Sequence, residues 1–184
     1  YFSILLHMKS MIKKRTWRAI YRLLDHVSPI DGDCGKLCGA ACCTCGDESA
    51  EDLGIYLYPG EDAIHSRKSD WLEWTVEDAE DYDFPDSWIG KVYFVKCKTP
   101  PHCPREMRPF QCRTYPLSPY LSPEGVLELV YNDEELPYSC PLIEDEIPLN
   151  DDFVKATYTV WKHLILDPHI YDLVEEDSRA RDEA

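Results

Sequence analysis

Between Ser10 and Val27 the apolar residues Met11, Trp17, Ile20, Tyr21, Leu24 and Val27 recur mostly three, four or seven residues apart, with Lys13, Lys14, Arg15, Arg18 and Arg22 between them. That period gathers the apolar side chains on one face and predicts a basic amphipathic helix over 10–27, stopped by Ser28-Pro29. Four later runs read as strands: 53–58 (LGIYLY), closed by the turn signal Pro59-Gly60, then 71–76, 88–95 (WIGKVYFV) and 125–131 (GVLELVY). The acidic run from Glu77 to Asp86 contains Pro85 and reads as a surface loop. Near the C terminus Asn150 is a candidate helix cap, and Asp151 and Asp152 suit the positive end of a helix dipole. Phe153, Thr157, Trp161 and Leu164 then share a face. A helix should run to about Asp167 and Pro168 should open another to about Glu176, giving C-terminal helices over 148–177 and a frayed tail, EEDSRARDEA. The expected fold is α+β: a small, mostly antiparallel sheet flanked by N- and C-terminal helices in one domain spanning 1–184.

Composition narrows the classes. With 44% hydrophobic residues the chain can bury a core, yet no apolar run approaches the roughly 20 residues a membrane span requires. The net charge of -16 argues against nucleic acid as a partner, because an acidic surface repels phosphate. Its apolar first residues, YFSILLH, precede the positive charges instead of following them, which is the wrong order for a secretory signal. Met8 or Met11 is the expected start, and the expected location is the cytoplasm. The basic run at 9–22 reads as a helix docked on an acidic body, with a membrane-surface or partner helix as the other reading.

Nine cysteines then dominate the chemistry: Cys34, Cys38, Cys42, Cys43, Cys45, Cys97, Cys103, Cys112 and Cys140. In a reducing compartment such density points to metal ahead of disulfides, and the odd number fits a disulfide framework poorly. Thiolates favour zinc, copper(I) or iron–sulfur clusters. Five of these thiols fall in 34–45 as C-x3-C-x3-C-C-x-C, a spacing unlike the paired C-x2-C knuckles of common zinc sites. Adjacent cysteines point in different directions, so Cys42 and Cys43 either serve two sites or one of them packs as a small apolar residue. Isolated Cys97 and Cys140 fit inert packing best. Residues 97–123 hold half of the 14 prolines together with Cys97, Cys103 and Cys112. A loop this rich in proline needs something to pin it, and thiolates on one ion would do so. His102, beside Cys103, is a weaker candidate ligand.

CGKLCGAACC at 34–43, CPREMRPFQCRTYP at 103–116 and Cys140-Pro141 together resemble the bacterial and archaeal cysteine-cluster family described as a zinc- or iron-chelating domain. The family pattern is an early C-x2-C-x2-C-C group, scattered cysteines and an R-P-x2-C-R-x-[FY]-P signature. Arg108, Pro109, Cys112, Arg113, Tyr115 and Pro116 match that signature. The likeness covers about 34–141, the cysteine-cluster region. The early spacings here are each one residue longer, and Cys103 lies one residue nearer the Arg-Pro pair. The resemblance implies bound zinc or iron, and for members within lysine N-methylases it implies a protein-modifying role. Arg108 and Arg113 flank Cys112, and their guanidinium groups are expected to hydrogen-bond sulfur or a nearby carboxylate and so offset excess negative charge.

No G-x-S-x-G, P-loop or dinucleotide fingerprint occurs, and His65, His163 and His169 lack metal-ligand spacing. Two functions follow. One is a non-catalytic metal-binding protein with a protein partner. The other is a metal-dependent protein-modifying or redox enzyme; a closed four-ligand site suits the first and an open position the second.

Overall fold

A computed structural model describes residues 8–45 and 54–184. The leader at 1–7, Gly46 and Leu53 lie outside the described residues. The basic helix is α1 (Lys14–Asp25), which buries Trp17, Ile20, Tyr21 and Leu24. Two one-turn helices follow, α2 (Gly35–Cys38) and α3 (Ala41–Thr44). The strands β1 (Ile55–Tyr56), β2 (Leu72–Asp78) and β3 (Lys91–Cys97) form an antiparallel sheet in the order β1-β3-β2, with Leu72 opposite Cys97. After a short helix α4 (Phe110–Thr114), β4 (Leu117–Leu121) and β5 (Leu127–Tyr131) make a separate antiparallel hairpin. The one-turn α5 (Pro141–Glu144), α6 (Asp151–Leu164) and α7 (Pro168–Glu183) complete the α+β fold. Among the described residues no helix is long and apolar enough to cross a membrane.

The proline-rich stretch is more regular than a loop. It contains a 3-10 turn at Arg105–Met107, α4 and all of β4. Pro119 is tolerated because β4 pairs with a strand on one side only. On the acidic run, Glu77 and Asp78 extend β2, and the Asp78 side chain accepts a hydrogen bond from the Glu80 amide to start a 3-10 turn. The expected frayed tail is instead helical to Glu183. Partners on the hairpin explain this: Leu121 N–H donates to Ser178 Oγ (2.9 Å), Tyr120 Oη donates to Asp182, and Arg181 pairs with Asp133 at 2.8 Å. Asn150 does stand at the start of α6, but its side-chain amide caps nothing there. It donates to the Ser28 carbonyl and to Asp31, holding the turn that ends the basic segment.

The main core is aromatic. The Phe110 ring meets Trp17, Tyr58 and Trp161 edge-on at centroid distances of 5.7, 5.5 and 5.2 Å. Trp17 Nε1 also donates to the Pro59 carbonyl, which draws the Pro59-Gly60 turn against α1. Gly60 has φ +85°, and a Cβ there would stand 2.6 Å from the Ile12 carbonyl oxygen, so only glycine permits this approach. A smaller apolar cluster of Leu57, Trp71, Leu72, Tyr93 and Val95 lies on the sheet.

Fully buried Asp167 joins the segment before α1 to the start of α7. Its Oδ1 accepts from the His169 and Ile170 amides and caps α7, while Oδ2 accepts from the Met11 amide (2.7 Å) and Ser10 Oγ (3.0 Å). Asp167→Ala should therefore lower stability by at least about 2 kcal/mol in urea unfolding, since it removes a cap and also strands a buried amide. A loss below about 0.5 kcal/mol would show that this junction contributes nothing.

Candidate metal centre

The segments that carry the sulfurs are short elements, some with unusual backbones. Asp33 Oδ1 accepts from the Gly35 amide and starts α2; Gly39 and Ala40, at φ +66° and +57°, then reverse the chain into α3. Across from it, Pro109 leads into α4, whose Phe110, Arg113 and Thr114 are buried. Between these segments the turn at 105–108 carries Arg108.

Arg108 is the hub. Its Nη2 donates to Cys43 Sγ at 3.9 Å, and its Nε is buried without a hydrogen-bond partner. Burial by itself would lower the guanidinium pKa, yet the surrounding Cys112, Cys103 and Cys43 sulfurs outweigh it and raise the value. Cys43 is drawn down to about 6, first by a hydrogen bond from the adjacent Cys42 thiol and then by Arg108, against the effect of burial. Cys42 moves the opposite way, because its proton is shared with that thiolate. Burial pushes Cys112 up to about 12 and raises Cys103 and Cys34, with Arg108 opposing in all three. Cys97 and Cys103 pack with Met107 against the smaller apolar cluster.

The remaining thiols also make contacts of their own. Cys34 interacts with Cys140 and Cys38, Tyr115 hydrogen-bonds Cys140, and Cys45 is buried at the end of α3. All nine cysteines are free thiols. His102 is exposed and shares none of these contacts. Of the two flanking arginines, Arg108 meets sulfur, whereas Arg113 finds a carboxylate. Its guanidinium pairs with Asp25, donates to the Arg105 and Arg108 carbonyls, and lies 4.3 Å over the Tyr21 ring. Arg113 thus fastens the turn bearing Arg108 to α1.

No protein-family model, curated protein or solved structure matches this chain. Among the described residues no three His, Cys, Asp or Glu side chains stand close enough together to hold a metal ion. The thiols around Arg108 face one another electrostatically without ligating distances.

Among the described residues a cleft of about 940 Å³ has Cys42, Cys43, Cys112, Tyr56, Trp161 and Asp177 in its lining. Burial first, then the nearby Glu134 and Glu176, push the Asp177 carboxyl up to about 6. Behind α4 lies a group with no sequence signal: fully buried Glu61 accepts from Tyr21 Oη, the Phe110 amide (2.7 Å) and the Tyr58 amide (2.9 Å). It anchors the first residue of the helix that carries Cys112.

Proposed function

We propose that this chain is a cysteine-ligated metal-binding protein that holds zinc, iron or an iron–sulfur cluster at the sulfurs around Arg108. The half-buried Arg108 guanidinium, whose Nε is enclosed without a partner, carries this reading. Arginine does not deprotonate in proteins, so a buried one needs anionic neighbours. No described carboxylate pairs with Arg108; Cys43 accepts its hydrogen bond, and Cys112, Cys103 and Cys43 are the groups that act on its charge. Without an ion Cys103 and Cys112 stay protonated and Arg108 balances the Cys43 thiolate; a divalent ion that displaced the two protons would bring three thiolates, the guanidinium and itself to a neutral sum. Soft sulfur selects zinc, copper(I) or iron over magnesium or calcium. Cys43, Cys103 and Cys112 would hold the ion, with Cys42 beside Cys43 and Cys97 beside Cys103 as further thiols. Cys34, Cys38, Cys42, Cys45 and Cys140 form the surrounding reserve of sulfur. The bound ion would supply cross-linking of the 34–45 and 97–112 segments and, if iron, electron transfer.

The 108–116 signature supports kinship with the cysteine-cluster family, and nine free thiols suit the reducing cytoplasm. The cleft favours a second reading, a metal-dependent redox or protein-modifying enzyme, because it gives a substrate access to the sulfurs.

Anaerobically purified protein should contain stoichiometric zinc or iron by elemental analysis. Zinc protein would be colourless, and an iron–sulfur protein would absorb in the visible and bleach on reduction. Cys43→Ser combined with Cys112→Ser should abolish retention, and chelation should expose 97–123 to protease. Protein that folds, binds neither metal after anaerobic reconstitution and resists protease equally with and without chelator would refute the reading.

A further inference from the structure

The basic face of α1 is the feature that the metal centre leaves unused. Six of the chain's 19 Lys and Arg residues and one of its 35 acids lie between residues 8 and 26. The structure directs these cations outward: Lys9, Lys13, Lys14, Arg15, Arg18 and Arg22 are all exposed, while Trp17, Ile20, Tyr21 and Leu24 hold the opposite face in the core. Among the described residues none of the six forms an ion pair, although the molecule has an excess of carboxylates, and the single acid of the segment, Asp25, is taken by Arg113. Docking on the body is therefore achieved by the apolar face, and among the described residues the charges have no ion-pair partner.

Two exposed aliphatic residues lie at the junction that precedes α1. Met11 and Leu166 are 63% and 66% exposed, and the Asp167 junction brings them together by binding the Met11 amide. Leu23, 41% exposed, lies toward the other end of the helix. Solvent alone gives no reason to concentrate unpaired cations around protruding aliphatic groups on a rigid frame. An anionic lipid surface does: headgroups attract the cations and the aliphatic chains enter the interface. Duplex nucleic acid would use the cations but offers nothing to Met11 or Leu166. The overall negative charge does not forbid contact, because at physiological salt charges beyond about 8 Å are largely screened, and α1 presents Lys14 to Arg22 along about 12 Å of helix.

We propose that the outer face of α1, with Met11 and Leu166, docks this protein peripherally on anionic lipid. Neither the metal nor any span of the bilayer is required. Sedimentation of the full chain with vesicles tests this, using phosphatidylcholine with and without phosphatidylserine. Wild-type protein should pellet only with the anionic vesicles and be released by salt. The triple variant R15E, R18E and R22E should bind about 100-fold or more weakly, and M11S with L166S should also weaken binding while all variants keep the wild-type thermal midpoint. Equal pelleting with both vesicle types, or undiminished binding of a folded triple variant, overturns the proposal. So does binding of polyglutamate or duplex DNA by wild-type protein that ignores vesicles, since the face would then serve a different polyanion.

Discussion

Phe110→Ala should lower the free energy of unfolding by about 3–5 kcal/mol, the range found when a fully buried aromatic side chain is deleted. Phe110 has no exposed surface and its ring is enclosed by Trp17 of α1, Tyr58 after β1 and Trp161 of α6. Those three rings belong to different elements, so none can fill the space without moving its own backbone, and the cavity should persist. The loss is a large share of the 5–15 kcal/mol that stabilises typical domains. Urea unfolding measures it, with the midpoint falling and the slope unchanged. The backbone amide of residue 110 still reaches Glu61 in the variant, which confines the effect to packing. Because α4 has only five residues and also carries Cys112, the proposed metal site should weaken in parallel. A change under about 1 kcal/mol would mean that α4 is not seated in the core.

What was readable in the chain depended on how far each residue's partners lie along it. The period of α1 was legible because Trp17, Ile20, Tyr21 and Leu24 all bury on one face within a few turns. The strands β2 and β3 were legible from β-branched and aromatic content. By contrast β4 was hidden by Pro116, Pro119 and Pro123, since proline usually argues against a strand and its tolerance on a one-sided ribbon is a property of topology. The last two turns of α7 are stabilised by Leu121, Tyr120 and Asp133, about fifty or more residues away, which no local propensity records.

At the site the same distinction holds. Cysteine spacing pointed to the sulfur-rich segments and the signature pointed to Arg108. Which thiols face that guanidinium was not readable, because it depends on how the turn at 105–108 is tied to α1 through Arg113. Two identical residue types five positions apart thus divide their work: one offsets sulfur charge, the other positions the first. Glu61 gave no signal at all. A carboxylate after Pro59-Gly60 reads as a solvated turn, and only the packing of α1 and α4 over it makes it a buried acceptor.

The pH dependence of stability should expose the Glu61, Tyr21 and His65 network most clearly through paired variants. Burial, against the hydrogen bonds it receives, lifts Glu61 from 4.5 to about 7, so folding favours its neutral form. Its contribution is fully present below pH 4.5 and is lost as pH rises through 7. Burial, with Arg113 nearby, lowers His65 from 6.5 to about 4, so folding again favours the neutral form. That contribution is present above pH 6.5 and is lost as pH falls through 4. Tyr21 Oη donates to Glu61 and lies 2.8 Å from His65 Nε2, so the imidazole must donate from Nε2 to complete the chain. Each shift is worth roughly 3 kcal/mol at its limit. The two slopes oppose between pH 4.5 and 6.5, so the pair should add little net pH dependence to the wild type there. E61Q should remove the falling limb: relative to it, wild type loses stability from pH 4.5 to 7. H65Q should remove the rising limb: relative to it, wild type gains stability from pH 4 to 6.5. Urea unfolding across that range measures both differences, and parallel profiles for wild type and the two variants would show that these groups ionise in the folded protein as they do in water.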